Sequence, residues 1–129
     1  VGEDSTEARR TFEDTVGRAA AADPWLRDHP PTVEWWGGQF EPASIPPQHP
    51  LVPAVRDAFE AVSGGRPSVE GITYGADMRL LVNVGETPTV LFGPGDVRQA
   101  HRPDEYVPID ELEMAVRTLA LAALRFYGT

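Results

Sequence analysis

The residues best suited to chemistry gather in one stretch, Val90 to Val107, which reads V-L-F-G-P-G-D-V-R-Q-A-H-R-P-D-E-Y-V. It holds His101, flanked by Arg98 and Arg102 and followed by Asp104 and Glu105. A neutral imidazole is the commonest metal ligand. Two neighbouring arginines disfavour its protonated form. Upstream, Asp77 and Arg79 form a second polar pair. An arginine fork can grip a carboxylate through two parallel N–H bonds; the structural alternative is that Asp77 caps a short helix and Arg79 pairs with a nearby acid. His29 and His49 lie in separate Pro-rich segments and read as an exposed loop residue and a hinge residue. From spacing alone, the stretch around His101 reads as a strand-to-helix connection with a solvated histidine.

Such a loop has to be held by regular elements. An apolar β-type run, Thr87 to Phe92, is stopped by Gly93-Pro94-Gly95, where the backbone can turn sharply. Beyond the loop, a helix is predicted from about Pro108 to Tyr127. Its apolar stripe is Leu112, Val116, Leu119, Ala123 and Phe126, with Asp110 and Glu111 in its first turn and Gly128 as C-cap. Open α/β sheets place ligands where a strand empties into such a loop.

Earlier in the chain, Asp4 to Ala22 is a helix with a thin apolar stripe, capped by Asp4 or Ser5 and ended by Asp23-Pro24. Thr32 to Trp36 reads as a strand, in which Trp35 and Trp36 point to opposite faces. Residues 41–53 are Pro-rich and read as a semi-rigid linker. Pro53 to Val62 is a helix ended by Gly64-Gly65, Ser68 to Thr73 a short strand, and Asp77 to Val84 a short helix. The expected class is α/β, with helices on both faces of a sheet.

The chain has 129 residues, enough for one domain, and no cysteine, which excludes disulfides, thiolate nucleophiles and Cys-based zinc sites. Its 20 acidic and 11 basic residues give a net charge of −9. A surface that acidic repels phosphate backbones and anionic membranes, so neither nucleic acid nor membrane is expected as a partner. No run is long and apolar enough to span a bilayer, and the composition is compatible with a cytoplasmic location. The chain begins at Val1 without Met or a signal-peptide pattern, and is read as a processed or truncated product.

The string F-G-P-G-D-x-x-x-A-H-x-x-D-E-Y-V resembles the C-terminal metal-ligand segment of the acetylornithine deacetylase / succinyl-diaminopimelate desuccinylase family. These are zinc amidohydrolases related to aminoacylase and glutamate carboxypeptidases. Tyr74-Gly75-Ala76-Asp77-Met78-Arg79 is similar to that family's Gly-Thr-Asp-Ala-Arg-type segment, with Gly75 where many relatives carry Thr. Val33-Glu34-Trp35-Trp36 and His49-Pro50-Leu51-Val52 match the exit from the family's lid domain and the return to its catalytic domain.

The resemblance implies that His101 is a zinc ligand and that Asp77, Arg79, Gly93, Pro94 and Gly95 line the substrate pocket. Glu105 would support His101, or else serve as an acid ahead of the final helix. Gly93 and Gly95 would leave room for substrate and metal to approach. It also implies the rear part of a lid or dimerisation domain at 1–40, a hinge at 41–53, and the C-terminal part of a zinc-exopeptidase-like catalytic domain at 54–129. The cofactor would be a pair of zinc ions per site, with cobalt or manganese as substitutes. The substrate would be an N-acyl amide of an amino acid or short peptide. The family's upstream His-x-Asp and Glu-Glu motifs do not occur here, so no catalytic residue is assigned, and the isolated chain is expected to be inactive and to hold zinc poorly. Two other readings remain: a dipeptidase or carboxypeptidase of the same superfamily, and a non-catalytic α/β interaction domain. An unpaired aromatic strand at Thr32 to Trp36 would favour pairing with a second copy as a homodimer.

Overall fold

The computed structural model describes residues 2–38 and 40–128. The chain divides into two compact units, Val1–Ala43 and Ser44–Thr129.

The first unit is built on α1 (Ser5–Ala22) and α2 (Pro24–Asp28). Asp4 caps α1 by accepting the Glu7 N–H at 3.0 Å. Asp23 ends α1 and caps α2, its carboxylate accepting the N–H groups of Trp25 at 2.8 Å and Leu26 at 2.9 Å. Pro24 fills the first turn of α2, where a missing N–H costs nothing. The following residues return over α1. Trp35 meets Phe12 edge to face at 5.7 Å, lies 5.3 Å from the Arg9 guanidinium and donates its indole N–H to Glu13 Oε1 at 2.6 Å. Trp36 is 88% exposed.

The second unit pairs α3 (Leu51–Ser63) with α5 (Ile109–Tyr127); α4 (Met78–Asn83) lies between them in sequence. α3 ends at Gly64, which takes the left-handed conformation at φ 76° that terminates helices. Small side chains let α3 and α5 pack: Ala58 on α3 and Ala115, Thr118 and Ala122 on α5 are buried. Arg125 locks the pair by donating to the Asp57 carbonyl at 2.9 Å. Phe59 of α3 also meets Phe92 edge to face at 5.9 Å.

Two expectations are corrected. The described residues contain helices and no strand, so the α/β class, with helices on both faces of a sheet, does not hold. The same finding removes the strand expected beside the first helix in the segment 1–40, whose resemblance implied a helix-strand remnant of an α+β lid domain. Thr32 to Trp36, Ser68 to Thr73 and Thr87 to Phe92 carry no strand assignment. A strand is made by the ladder it shares with a neighbour, and β-prone composition does not supply one. In the last run the hydroxyls turn to local backbone, Thr87 to the Gly85 carbonyl and Thr89 to the Thr87 carbonyl, both at 2.9 Å. Phe92 therefore ends an irregular apolar run rather than a strand.

The second correction concerns α5. Its expected stripe does not face α3. Leu112, Val116 and Leu119 are 51%, 60% and 52% exposed, while Ala115, Thr118 and Ala122 make the contact. Apolar periodicity identifies a helix face able to bury itself; it does not choose which neighbour the helix meets.

Candidate functional site: the loop carrying His101

The loop is closed at its base by contacts with the start of α5. Gly95 has φ 91°. Its N–H donates to Glu111 Oε2 in the first turn of α5 at 2.8 Å. That backbone angle favours glycine, and a Cβ built on Gly95 would lie 3.3 Å from Val107 Cγ2, so the Val107 side chain would have to give by a few tenths of an ångström. Residues 95 and 107 thus meet, and His101 lies midway between them in sequence. A surface segment with adjoining ends, packed by its own side chains, has the character of an Ω-loop.

Inside the loop, Asp96 caps the 3₁₀ turn Val97–Gln99 by accepting the Arg98 N–H at 2.9 Å. The Arg98 guanidinium folds back on the same carboxylate, with Nε 2.9 and 2.8 Å from its two oxygens. The Arg98 side-chain hydrogen bond, backed by the Arg98 N–H, lowers the Asp96 carboxyl to a pKa of about 2. The Arg98 guanidinium is thus paired with Asp96.

His101 follows in the left-handed region, at φ 64°. Glu86, at φ 46°, shares that region among the described non-glycine residues. The conformation is uncommon for a residue with a Cβ and points to surroundings that impose it. One such restraint is Glu105, whose Oε2 accepts the His101 N–H at 3.0 Å. The Arg102 N–H to the Gln99 carbonyl and the Glu105 N–H to the Arg102 carbonyl, both 3.2 Å, tighten the turn on either side. Glu105 thus acts on the His101 backbone rather than on its ring. The His101 residue is exposed, and among the described residues no hydrogen bond engages the imidazole.

The other sequence-predicted residues are placed elsewhere. Asp77 stands exposed at the start of α4, and its carboxylate makes no capping bond; its carbonyl accepts the Leu80 N–H at 2.9 Å. Arg79 is half-buried in the first turn of α4. Gly93 is exposed, with open space where a Cβ would stand, and Pro94 is half-buried. His29 stacks on Trp25 at 4.4 Å, with Nδ1 3.0 Å from the Trp25 carbonyl. His49 Nδ1 accepts the Leu51 N–H at 3.3 Å, at the start of α3. These two histidines are engaged in local structure.

Among the described residues, no group of three or more His, Asp and Glu side chains converges as a metal site. These donors do not by themselves fit a complete zinc centre, which takes at least three protein ligands. The contact missed from sequence is Glu111 to Gly95. Only the placement of an acid in the first turn of a helix following a Gly-rich turn hinted at it.

A family model described as peptidase family M20/M25/M40 matches residues 1–125. N-formyl-4-amino-5-aminomethyl-2-methylpyrimidine deformylase from Halalkalibacterium halodurans is 32% identical, over 88% of this chain and 28% of its own length. The protein of the same name from Bacillus subtilis is 33% identical, over 78% of this chain and 25% of its own. Acetylornithine deacetylase from Myxococcus xanthus is 39% identical, over 57% of this chain and 18% of its own. The chain thus spans about a quarter of the length of the first two curated relatives. No solved structure matches it. No helix among the described residues is long and apolar enough to cross a membrane.

Proposed function

The chain belongs to peptidase family M20/M25/M40, and on that premise we propose that it forms part of a zinc-dependent amidohydrolase in which His101 is a metal ligand. The observation that carries this reading is the presentation of His101: an exposed imidazole on a left-handed backbone, in a loop closed at its base. The remaining ligands and the general base would come from elsewhere in a longer protein.

Within this reading, the chain's own residues bind and orient. Glu105 sets the His101 backbone. Arg79, near Asp77, would receive a substrate carboxylate through its planar fork. The turn Gly93-Pro94-Gly95 would border the acyl group. A zinc ion, when bound, would supply Lewis-acid chemistry suited to amide cleavage. The substrate proposed is an N-acyl amide of an amino acid or short peptide. A second reading, an N-formylated aminopyrimidine, is favoured by the names of the two relatives aligned over most of the chain.

The test is His101→Ala in the full-length protein, with zinc content and hydrolysis of N-formyl and N-acetyl amides measured side by side. Loss of one ligand should remove most of the bound metal and lower activity by at least about a hundredfold. A His101→Ala protein with full metal content and turnover would refute the assignment.

A further inference from the structure

We infer that Glu111 is a positioning residue, whose carboxylate closes the base of the loop that presents His101. The inference rests on the reading of His101 as a ligand. An acid in the first turn of a helix ordinarily needs no further account, because the helix dipole favours negative charge there. Glu111 does something more specific. Its Oε2 takes the N–H of Gly95 at 2.8 Å, joining α5 to a residue sixteen positions earlier. Gly95 is also the residue whose backbone angle turns the chain out of the apolar run, and it abuts Val107 at the other end of the loop.

Two carboxylates therefore divide the loop between them. Glu111 fixes its base through the Gly95 N–H, and Glu105 fixes its middle through the His101 N–H. The pair α3 and α5 supplies the packed contact of this unit, with Ala115 and Thr118 of α5 buried. Through Glu111, a largely exposed loop is tied to that packed pair. A ligand on a mobile loop pays an ordering cost each time metal binds; a ligand on an anchored loop has met that cost on folding. Glu111 touches neither metal nor substrate in this scheme and acts only through backbone position.

The experiment compares Glu111→Ala, Glu111→Gln and His101→Ala in the full-length protein. Gln keeps a carbonyl oxygen able to accept the Gly95 N–H but removes the charge. The expected Glu111→Ala result is roughly tenfold faster amide exchange at Gly95 and roughly tenfold weaker zinc retention, with kcat reduced and KM little changed. Glu111→Gln should restore all three toward wild type. If Gln is as impaired as Ala, charge at the helix start is what matters and the inference falls. If Glu111→Ala matches wild type in exchange and zinc retention beside a metal-free His101→Ala, the inference alone falls. If His101→Ala keeps its metal and turnover, both this inference and the ligand reading fall.

Discussion

The Glu105 carboxylate holds the backbone N–H of His101 at 3.0 Å, and His101 sits at φ 64°. The acid that follows the histidine therefore restrains where the ring is carried and leaves the ring nitrogens to other partners. Replacing Glu105 by Ala should cost about 0.5–1.5 kcal/mol, the usual net contribution of one hydrogen bond. It should also speed amide exchange at His101. Chemical denaturation and exchange of the two proteins check this; an unchanged His101 amide would show that the turn holds without Glu105.

His101→Gly should separate stability from function. A residue with a Cβ in the left-handed region carries a cost of about 1 kcal/mol that Gly avoids. The flexibility of Gly in the unfolded chain offsets part of that gain. The expected melting temperature is equal to or above wild type, with metal binding lost. A clear drop in melting temperature would mean that the imidazole itself contributes to folding.

The Asp96–Arg98 pair predicts an unusual acid titration. The folded-state pKa of Asp96 is about 2, depressed from an ordinary 3.8. Because it is depressed, any stability it contributes is present above the ordinary value and is lost as pH falls through about 2. Both partners are exposed on the surface, so the effect on overall stability is small. Carbon NMR of the Asp96 carboxyl should show the low midpoint, and Arg98→Ala should move it back up toward 3.8.

The interface of α3 and α5 contains one polar atom at a disadvantage. Thr118 is fully buried and, among the described residues, its hydroxyl has no hydrogen-bond partner. Thr118→Val keeps the shape and removes the unsatisfied group, so it should stabilise the fold by about 1 kcal/mol. Ala122→Leu on the same face should destabilise it by about 1–3 kcal/mol through overpacking. Leu119→Ala, on the exposed side, should change stability by no more than about 0.5 kcal/mol. Thermal or urea unfolding of the three variants gives the comparison, and a large loss at Leu119 would show that this face is covered in solution.

The sequence by itself determined what is local. Asp4 and Asp23-Pro24 mark real helix boundaries. Apolar periodicity placed the long helix near Ile109–Tyr127. The motif around His101 carried the family resemblance, which the match over residues 1–125 bears out. Each of these signals lies within a few residues of what it specifies, because caps, turns and helical hydrogen bonds close over one or two turns of chain. Only the tertiary structure decided the rest. Thr87 to Phe92 has strand composition, but a strand depends on a neighbour distant in sequence, and among the described residues none is laid beside it. α5 has two apolar faces, and the small-residue face of Ala115, Thr118 and Ala122 is the one that meets α3. Glu111 reads as a helix-start acid until the fold brings Gly95 within 2.8 Å of it. The left-handed turn at His101 and the Glu105 carboxylate that takes its N–H likewise come together only in the folded loop. Pairings of this kind depend on which surfaces meet, and residue types along the chain specify that only through the packing they produce together.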